Sequence, residues 1–477
     1  MNRSNGFGVF VLCSIVALCF ADNGGAVQWM DSGYFLGSAH EGVYFDDGLS
    51  AQSHPLYHVV TVAVAAAFGS NGLAVLNGLL LFPIALLVIR ITRTLGGSLN
   101  SGLFAACTTC LAHSVFWIST KVEVYSLNLL LILACYWIVF DTGLPLRPQL
   151  RMLSLGILTG LGLAVHQLTL LCVAPLYLYA CWIYRASSVV SIAGFLAGLA
   201  PCYPGLIEEL HHGRPIVAIV REYLTSATPS SSAYENSLFR FDRIWATKAY
   251  AAIALLSLFG PQAIGLLYPK DPRERTVWCA AVINLGFAVS YDVADRFTFF
   301  LPGAALLAIL AWNRIDRAFP ASLRRALLSA VAVAMMPATL ILGYLASENG
   351  LVRFPKNDHV LPFRNDVKYF LAPYLPDDSA LQFVRAYERL VPPGAIVFSD
   401  WTPLAALQSA QATGKFDRRV LMRCEDYPSW ARRSPSRSAY VVRIEAGCEN
   451  VGFGVPSPVD IGFLIPAREP STTSQVF

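Results

Sequence analysis

The sequence predicts a polytopic α-helical membrane protein of about eleven transmembrane helices, carrying a small C-terminal α/β domain outside the bilayer. Three observations lead there. Hydrophobic residues make up 55% of the 477 and charged residues only 14%, against roughly 25% charge in a soluble domain, and mean hydropathy is +0.52. Apolar runs recur at about the 20 residues needed to cross roughly 30 Å of hydrocarbon. The cations between these runs are sorted to one side. A net charge of +4 is too small for the basic face that a nucleic-acid partner requires, which leaves the bilayer as the expected environment.

The runs fall at about 6–22, 73–92, 99–118, 124–140, 152–166, 167–184, 188–207, 247–268, 276–291, 297–313 and 326–346. The first, with Arg3 ahead of it and Ala21-Asp22 behind, has the pattern of a signal peptide and is read as an uncleaved first span. The shorter run from Leu56 to Phe68 is expected to lie as a re-entrant or interfacial helix, because a crossing there would invert every later loop. With an inside N-terminus, one face collects Arg90, Arg93, Arg147, Arg151, Arg185, Lys270, Arg273, Arg275, Arg314, Arg317, Arg324 and Arg325. The segment from Ala21 to Gly72 contains neither Lys nor Arg, so it faces away from the cytoplasm.

Residues 1–346 thus form the expected membrane module, with a first outer loop at 23–72 and a second long one at 208–246 whose Ser-rich piece, Thr228 to Ser232, suggests mobility. Residues 347–477 form the extracytoplasmic domain, with strand-like runs at Ala395–Ser399, Tyr440–Ile444 and Ile461–Ile465 around helix-like runs at Ser379–Leu390 and Pro403–Gln411. Asp400-Trp401 lies between a strand and a helix, where Asp400 is either a helix N-cap or part of a ligand site. Of 11 cysteines, Cys13, Cys19, Cys107, Cys135, Cys172 and Cys279 sit in apolar runs as small hydrophobes. Cys424 and Cys448 lie in the polar region and are the disulfide candidates if it faces an oxidising compartment.

The groups able to do chemistry gather on the outer side. Asp31 follows the first span closely, although a polar loop beside an interfacial Trp29 would look the same. Lys121 and Glu123 sit between two spans, where the one can snorkel and the other cap a helix. His166 stands between two apolar runs, where a tight turn also explains it. Asp292, Asp295 and Arg296 border an apolar span that each would enter at a cost of about 2.5–3.5 kcal/mol, so they either pair with one another or line a site. Glu41, Asp46 and Asp47 are further acids of the first loop. Together with Asp31 they leave room for a divalent metal, but no metal-site spacing is visible and no ligand is assigned.

Several stretches carry a resemblance: Asp31-Ser32-Gly33, His54-Pro55-Leu56-Tyr57, Trp117, Glu123-Val124-Tyr125-Ser126-Leu127-Asn128 and Gly160 to Thr169 around His166-Gln167. Tyr291 to Pro302, including Asp295, and Val391 to Phe398 in the tail extend it. In this order they resemble the protein O-mannosyltransferase-like membrane family, which is similar to the GT-C glycosyltransferases. The resemblance implies a GT-C-like fold and transfer of a sugar from a polyprenyl-phosphate carrier on the non-cytoplasmic face, with an acid of the first outer loop, here Asp31, as catalytic residue. Tyr34 stands where that family often has Glu, so Glu41, Asp46 or Asp47 are alternative acids.

The layout suits this chemistry. The leaving phosphate needs no proton, so one carboxylate to deprotonate an acceptor hydroxyl and cations to hold the phosphate suffice. Asp31 is the expected base and Lys121 and Arg296 the phosphate holders, while His54, Glu123, His166 and Asp295 complete the substrate-binding set. The expected partners are a polyprenyl-phosphate sugar, with mannose as the candidate sugar, a protein, glycan or lipid acceptor, and the bilayer. A bacterial inner membrane with a periplasmic active face is expected, the lumen of the endoplasmic reticulum being the alternative. A non-catalytic lipid-linked-sugar scaffold and a transporter are the rivals, the latter disfavoured because the ionisable groups sit at span ends rather than mid-membrane.

Overall fold

A computed structural model of the chain describes residues 3–21, 25, 27–44, 49–50, 52–225, 237–243, 257–258, 260–293, 295–331, 337–351, 361, 363–417, 419–434, 437–444, 448, 451–453 and 457–465. Helices dominate. In chain order they are α1 (Arg3–Ala21), α2 (Met30–Glu41), α3 (Pro55–Ala74), α4 (Leu76–Thr94), α5 (Leu99–Leu111), α6 (His113–Ser119), α7 (Tyr125–Phe140), α8 (Pro148–Val165) and α9 (Leu168–Tyr184). There follow α10 (Val190–Gly198), α11 (Tyr203–His211), α12 (Ile216–Thr225), α13 (Gln262–Gly265), α14 (Pro272–Ser290), α15 (Leu301–Ala318), α16 (Ala321–Ala330) and α17 (Pro337–Glu348). The tail holds α18 (Asp366–Leu371), α19 (Ser379–Leu390), α20 (Trp401–Ala412) and α21 (Tyr427–Arg433).

Among the described residues five helical stretches are long and apolar enough to cross a membrane: Pro55–Ala74, Leu76–Thr94, Pro148–Val165, Ser187–His211 and Arg296–Ala318. Helices α5 and α6, bent by 69° at Ala112, make a sixth if they form one broken span. Three shorter apolar helices accompany them: Asn5–Ala21, Tyr125–Phe140 and Leu168–Tyr184. The chain is an integral membrane protein. Half of the run expected at 247–268, and part of that at 326–346, lie outside the described residues, as do Asp46, Asp47 and the stretch from Thr228 to Ser232.

Close backbone approach organises the pair α8 and α10. On α8, Gly156 and Gly160 face Gly194 and Gly198 of α10: a Cβ on Gly156 would sit 2.2 Å from the Ser191 carbonyl oxygen, and one on Gly194 2.3 Å from that of Leu153. Two such small-residue stripes allow helices to pack at van der Waals distance where the bilayer offers no hydrophobic drive. Helix α3 departs from the short run expected at Leu56–Phe68. It continues through the polar Gly69-Ser70-Asn71-Gly72 insertion because Gly69 takes φ 69°, ψ −177°, a kink that resets the helix direction. Both of its ends lie at one level: His54 at its start bonds Val165, and Asn77, just beyond its end, donates to the carbonyl oxygen of Glu123 at 2.7 Å.

The tail contains strands β1 (Ile396–Ser399), β2 (Val420–Arg423), β3 (Ala439–Val441), β4 (Ser457–Pro458) and β5 (Phe463–Ile465) in one sheet of order β2-β1-β3-β5-β4. β1 runs parallel to β2 and β3, and β5 antiparallel to β3 and β4. Cys424 and Cys448 are disulfide-bonded, 5.3 Å apart at Cα. The tail shares its core with the membrane body. Tyr374 donates to the Leu111 carbonyl oxygen at 2.7 Å, beside the α5–α6 break, supplying a partner where a bent helix exposes its backbone. Trp117 donates to the Tyr369 carbonyl oxygen at 2.7 Å.

Candidate active site

Asp31 is the second residue of α2, which Met30 opens with φ 56°, a left-handed conformation costing about 1–3 kcal/mol outside glycine and concentrated at functional sites. The helix is held there from behind. Trp29, read from the sequence as an interfacial anchor, is instead fully buried: its indole N–H donates to Ser379 Oγ at 2.9 Å and its ring packs 5.1 Å from Phe383 of α19. Along one face of α2, Gly33 and Gly37 meet Ala405 and Ser409 of α20, and a Cβ at Gly33 would lie 2.8 Å from the Ala405 carbonyl. This contact brings Trp401, one turn before Ala405, to Asp31, where its indole N–H donates to Oδ1 at 2.7 Å.

The loop between α6 and α7 is pinned by Asn77, whose amide donates to the carbonyl oxygens of Lys121 and Glu123 at 2.8 and 2.7 Å. Glu123 is buried and accepts from Ser32 Oγ at 2.8 Å, next to Asp31 in sequence. Lys121 is buried too, its ammonium 5.0 Å from the Tyr369 ring centre and 5.7 Å from that of Trp117. Arg296 is buried and paired with Asp292 at 2.7 Å, one of the two outcomes the sequence left open. Asp295 takes the other and lines the cavity.

That cavity, about 610 Å³, is bordered by Asp31, Asp295, His54, His166, Tyr125 and Phe299, with Leu168, Leu171 and Phe239 among its apolar walls. Lys121, Glu123 and Arg296 stand outside the lining, and Glu41 is exposed at the far end of α2. Leu170 belongs both to this wall and to a second, almost wholly apolar groove of about 480 Å³ between Val173, Tyr177, Ile192 and Phe195.

Two imidazoles stack in the cavity, 5.5 Å apart and 12° from parallel. His54 Nδ1 lies 2.7 Å from the Val165 carbonyl oxygen, so that nitrogen carries the proton and Nε2 is left an acceptor. His166 Nδ1 accepts from the Leu168 amide at 3.0 Å, which puts its proton on Nε2. Stacked rings of opposite tautomer therefore offer one acceptor and one donor. Burial lowers both, His54 to a pKa of about 4, against a smaller raising effect of the Val165 carbonyl. Both are neutral at physiological pH.

The acids behave oppositely. Asp31 opens onto the cavity yet lies deep inside the protein envelope; burial raises its carboxyl pKa, and the Trp401 N–H opposes that rise. Asp295 is raised to about 6 by burial and then by Asp31, and Glu123 well above the usual carboxylate range by burial, Asp31 and Asp295 in turn. Three carboxyl groups in mutual repulsion hold one negative charge far more readily than three. Among the described residues no three His, Cys, Asp or Glu side chains converge as a metal site, and no step is assigned to a metal. Asp400 occupies the N-cap position of α20 without capping it, its carboxylate being taken by Arg443 at 2.8 Å.

Sequence reasoning missed Trp401 as a site residue, because 370 positions separate it from Asp31 and no spacing signals such a contact. It also missed Ser32 as the partner of Glu123.

No protein-family model and no curated protein matches the sequence. Solved structures do. ArnT from Cupriavidus metallidurans bound to undecaprenyl phosphate superposes with a TM-score of 0.55 at 12% identity, over 91% of this chain and 92% of that one. Its apo form gives 0.57 at 11% identity over the same shares. The oligosaccharyltransferase of Archaeoglobus fulgidus aligns with a TM-score of 0.44 at 12% identity, over 88% of this chain and 64% of that one. At such identities the likeness is one of fold alone, and it is carried by the two ArnT structures, whose TM-scores exceed 0.5.

Proposed function

We propose that this chain is a GT-C-type glycosyltransferase that moves a sugar from a polyprenyl-phosphate carrier to an acceptor hydroxyl on the non-cytoplasmic face. One observation carries the reading: a carboxylate open to a cavity whose wall continues, through Leu170, into an apolar groove between helices. A lipid-linked sugar has that shape, its head polar and its tail at home among Val173, Tyr177 and Phe195. ArnT, with a bound undecaprenyl phosphate, supports the same donor class.

In the reaction Asp31 takes the proton of the acceptor hydroxyl as its oxygen attacks the anomeric carbon. The bond from that carbon to the phosphate oxygen breaks, and polyprenyl phosphate leaves with the electron pair. A single displacement inverts the anomeric configuration. His54 Nε2 and the His166 Nε2–H are suited to hold sugar hydroxyls, accepting and donating respectively. Lys121 and Arg296 reach the departing phosphate only by leaving their present partners, the rings of Tyr369 and Trp117 and the Asp292 carboxylate. Mannose is the sugar favoured by the family resemblance. Residues 1–346 carry the membrane module and 347–477 the extracytoplasmic part of a bacterial inner-membrane enzyme with a periplasmic site, in keeping with the cation distribution and the Cys424–Cys448 bond.

The test is transfer from a panel of radiolabelled polyprenyl-phosphate sugars to membrane acceptors, with Asp31→Asn at matched expression. Loss of at least about 100-fold in the variant is expected for a general base. Undiminished transfer would move the base to another acid, and folded wild type that binds donors without transferring them would leave a scaffold.

A further inference from the structure

The last third of the chain reaches the carboxylate on which the proposed chemistry rests. Trp401 stands just beyond the C-terminal end of β1, at the first position of α20. Its indole N–H lies 2.7 Å from Asp31 Oδ1. The ring is fixed on both sides, by Tyr34 at 5.1 Å between centroids and by the guanidinium of Arg423 at 5.1 Å. Behind it, the backbone of α20 at Ala405 comes close enough to Gly33 of α2 that a Cβ there would lie 2.8 Å from the Ala405 carbonyl. Asp31 is thus gripped by the tail and not by its own helix or by the membrane helices.

We propose that Trp401 is a positioning residue for Asp31, donating its indole N–H to one carboxylate oxygen so that the other is turned, ionised, toward the acceptor hydroxyl in the cavity. The inference rests on the reading of Asp31 as the base. The same geometry accounts for Tyr34 directly after Asp31-Ser32-Gly33: its ring packs against the indole, at a place where an acid would put a further charge beside the Asp31 carboxylate.

The other groups facing Asp31 do not substitute for this bond. Glu123 and Asp295 are acids whose own carboxyls Asp31 pushes up, and neither donates a hydrogen bond to it. His54 and His166 are neutral members of the cavity wall. Lys121 acts on Glu123 and lies against the rings of Tyr369 and Trp117. Arg423 lies beyond the indole and Arg443 is taken by Asp400. A hydrogen bond from a neutral donor to an ionised carboxylate favours the charged form, so its loss shifts the acid limb of activity toward higher pH.

Two variants separate the N–H from the ring: Trp401→Phe, and benzothienylalanine introduced at 401 by nonsense suppression, which keeps the bicyclic shape and lacks only the donor. In both, the donor KM stays within about twofold, while the acid limb of the kcat profile moves up by about one pH unit. kcat therefore falls roughly tenfold below the limb and converges on wild type above it. Carbodiimide labelling of the Asp31 peptide, followed by mass spectrometry, reads the same protonation shift in the full-length protein without any transfer. An unchanged acid limb and labelling curve in the benzothienylalanine protein, with Asp31→Asn inactive, overturns the role of Trp401 and leaves the base assignment standing. Transfer that survives Asp31→Asn overturns both.

Discussion

At the scale of single residues, burial in this site has opposite consequences for acids and imidazoles. Asp295 has a folded-state pKa of about 6, above the ~3.9 of an unfolded chain. It therefore favours the fold below about pH 4, and that contribution is lost as pH rises through about 6. Asp295→Asn is expected to stabilise the detergent-solubilised protein by about 1–2 kcal/mol at pH 7.5, allowing for its access to the cavity, and to do nothing at pH 4. Melting curves at the two pH values decide this; equal shifts at both would refute it. His54, with a pKa of about 4, is expected to keep a neutral imidazole signature from pH 8 to pH 5 in histidine-selective nitrogen spectra, with His54→Asn as the assignment control. The candidate acids and histidines were legible because ionisable groups beside apolar runs are costly enough to need a reason. Which of them reach the cavity was not, since Arg296 and Asp295 are adjacent in sequence yet one turns to Asp292 and the other to the open space.

Helices add constraints that side chains alone do not. Gly33 is required by the Gln28 carbonyl as well as by α20, and Gly33→Val is expected to cost about 3 kcal/mol through overpacking, with loss of transfer even though Asp31 is intact. Gly42→Ala serves as control: it meets no atom within 4 Å but carries φ 75°, so only a backbone cost of about 1 kcal/mol is expected. A thermal shift of the same size in both would contradict the packing argument. Helix α3 makes a second case. Its length suits a crossing, yet His54 and Asn77 bring both of its ends to the level of the site. Cysteines placed at Gln52 and at exposed Asn71, in a background with Cys13 and Cys181 replaced by Ser, are expected to react with a membrane-impermeant maleimide from the same side. Labelling from opposite sides would make α3 a crossing helix. The apolar run predicted a helix here, but the kink at Gly69 is a property of one dihedral and left no trace in hydropathy.

Over the whole molecule, the helical body and the α/β tail close on each other at the α5–α6 break and again at α2. Strands β1, β3 and β5 and helices α19 and α20 of the tail fell near their expected places, because alternation and helical periodicity are local, whereas β2, β4, α18 and α21 were not foreseen. The merging of its core with the membrane body depends on contacts such as Tyr374 to Leu111, 263 positions apart, which no window of sequence samples. The Cys424–Cys448 bond closes a loop of 24 residues worth roughly 3 kcal/mol in loop-closure entropy. Reduction is therefore expected to loosen the tail first and, through Trp401, to lower transfer before the membrane helices melt. Dithiothreitol titration read by transfer and by helical circular dichroism would show the two losses separating; coincident losses would mean the tail does not govern the site.

The distance along the chain between Asp31 and the indole that grips it has a consequence in time. A ribosome adding about 5–20 residues per second needs roughly 20–75 s to make the intervening 370 positions. Throughout that interval the first helices can enter the bilayer and meet lipid-linked sugars while the carboxylate still lacks its clasp. A nascent chain thus falls short of the full rate below the acid limb, and that rate is reached only once synthesis has run past Trp401.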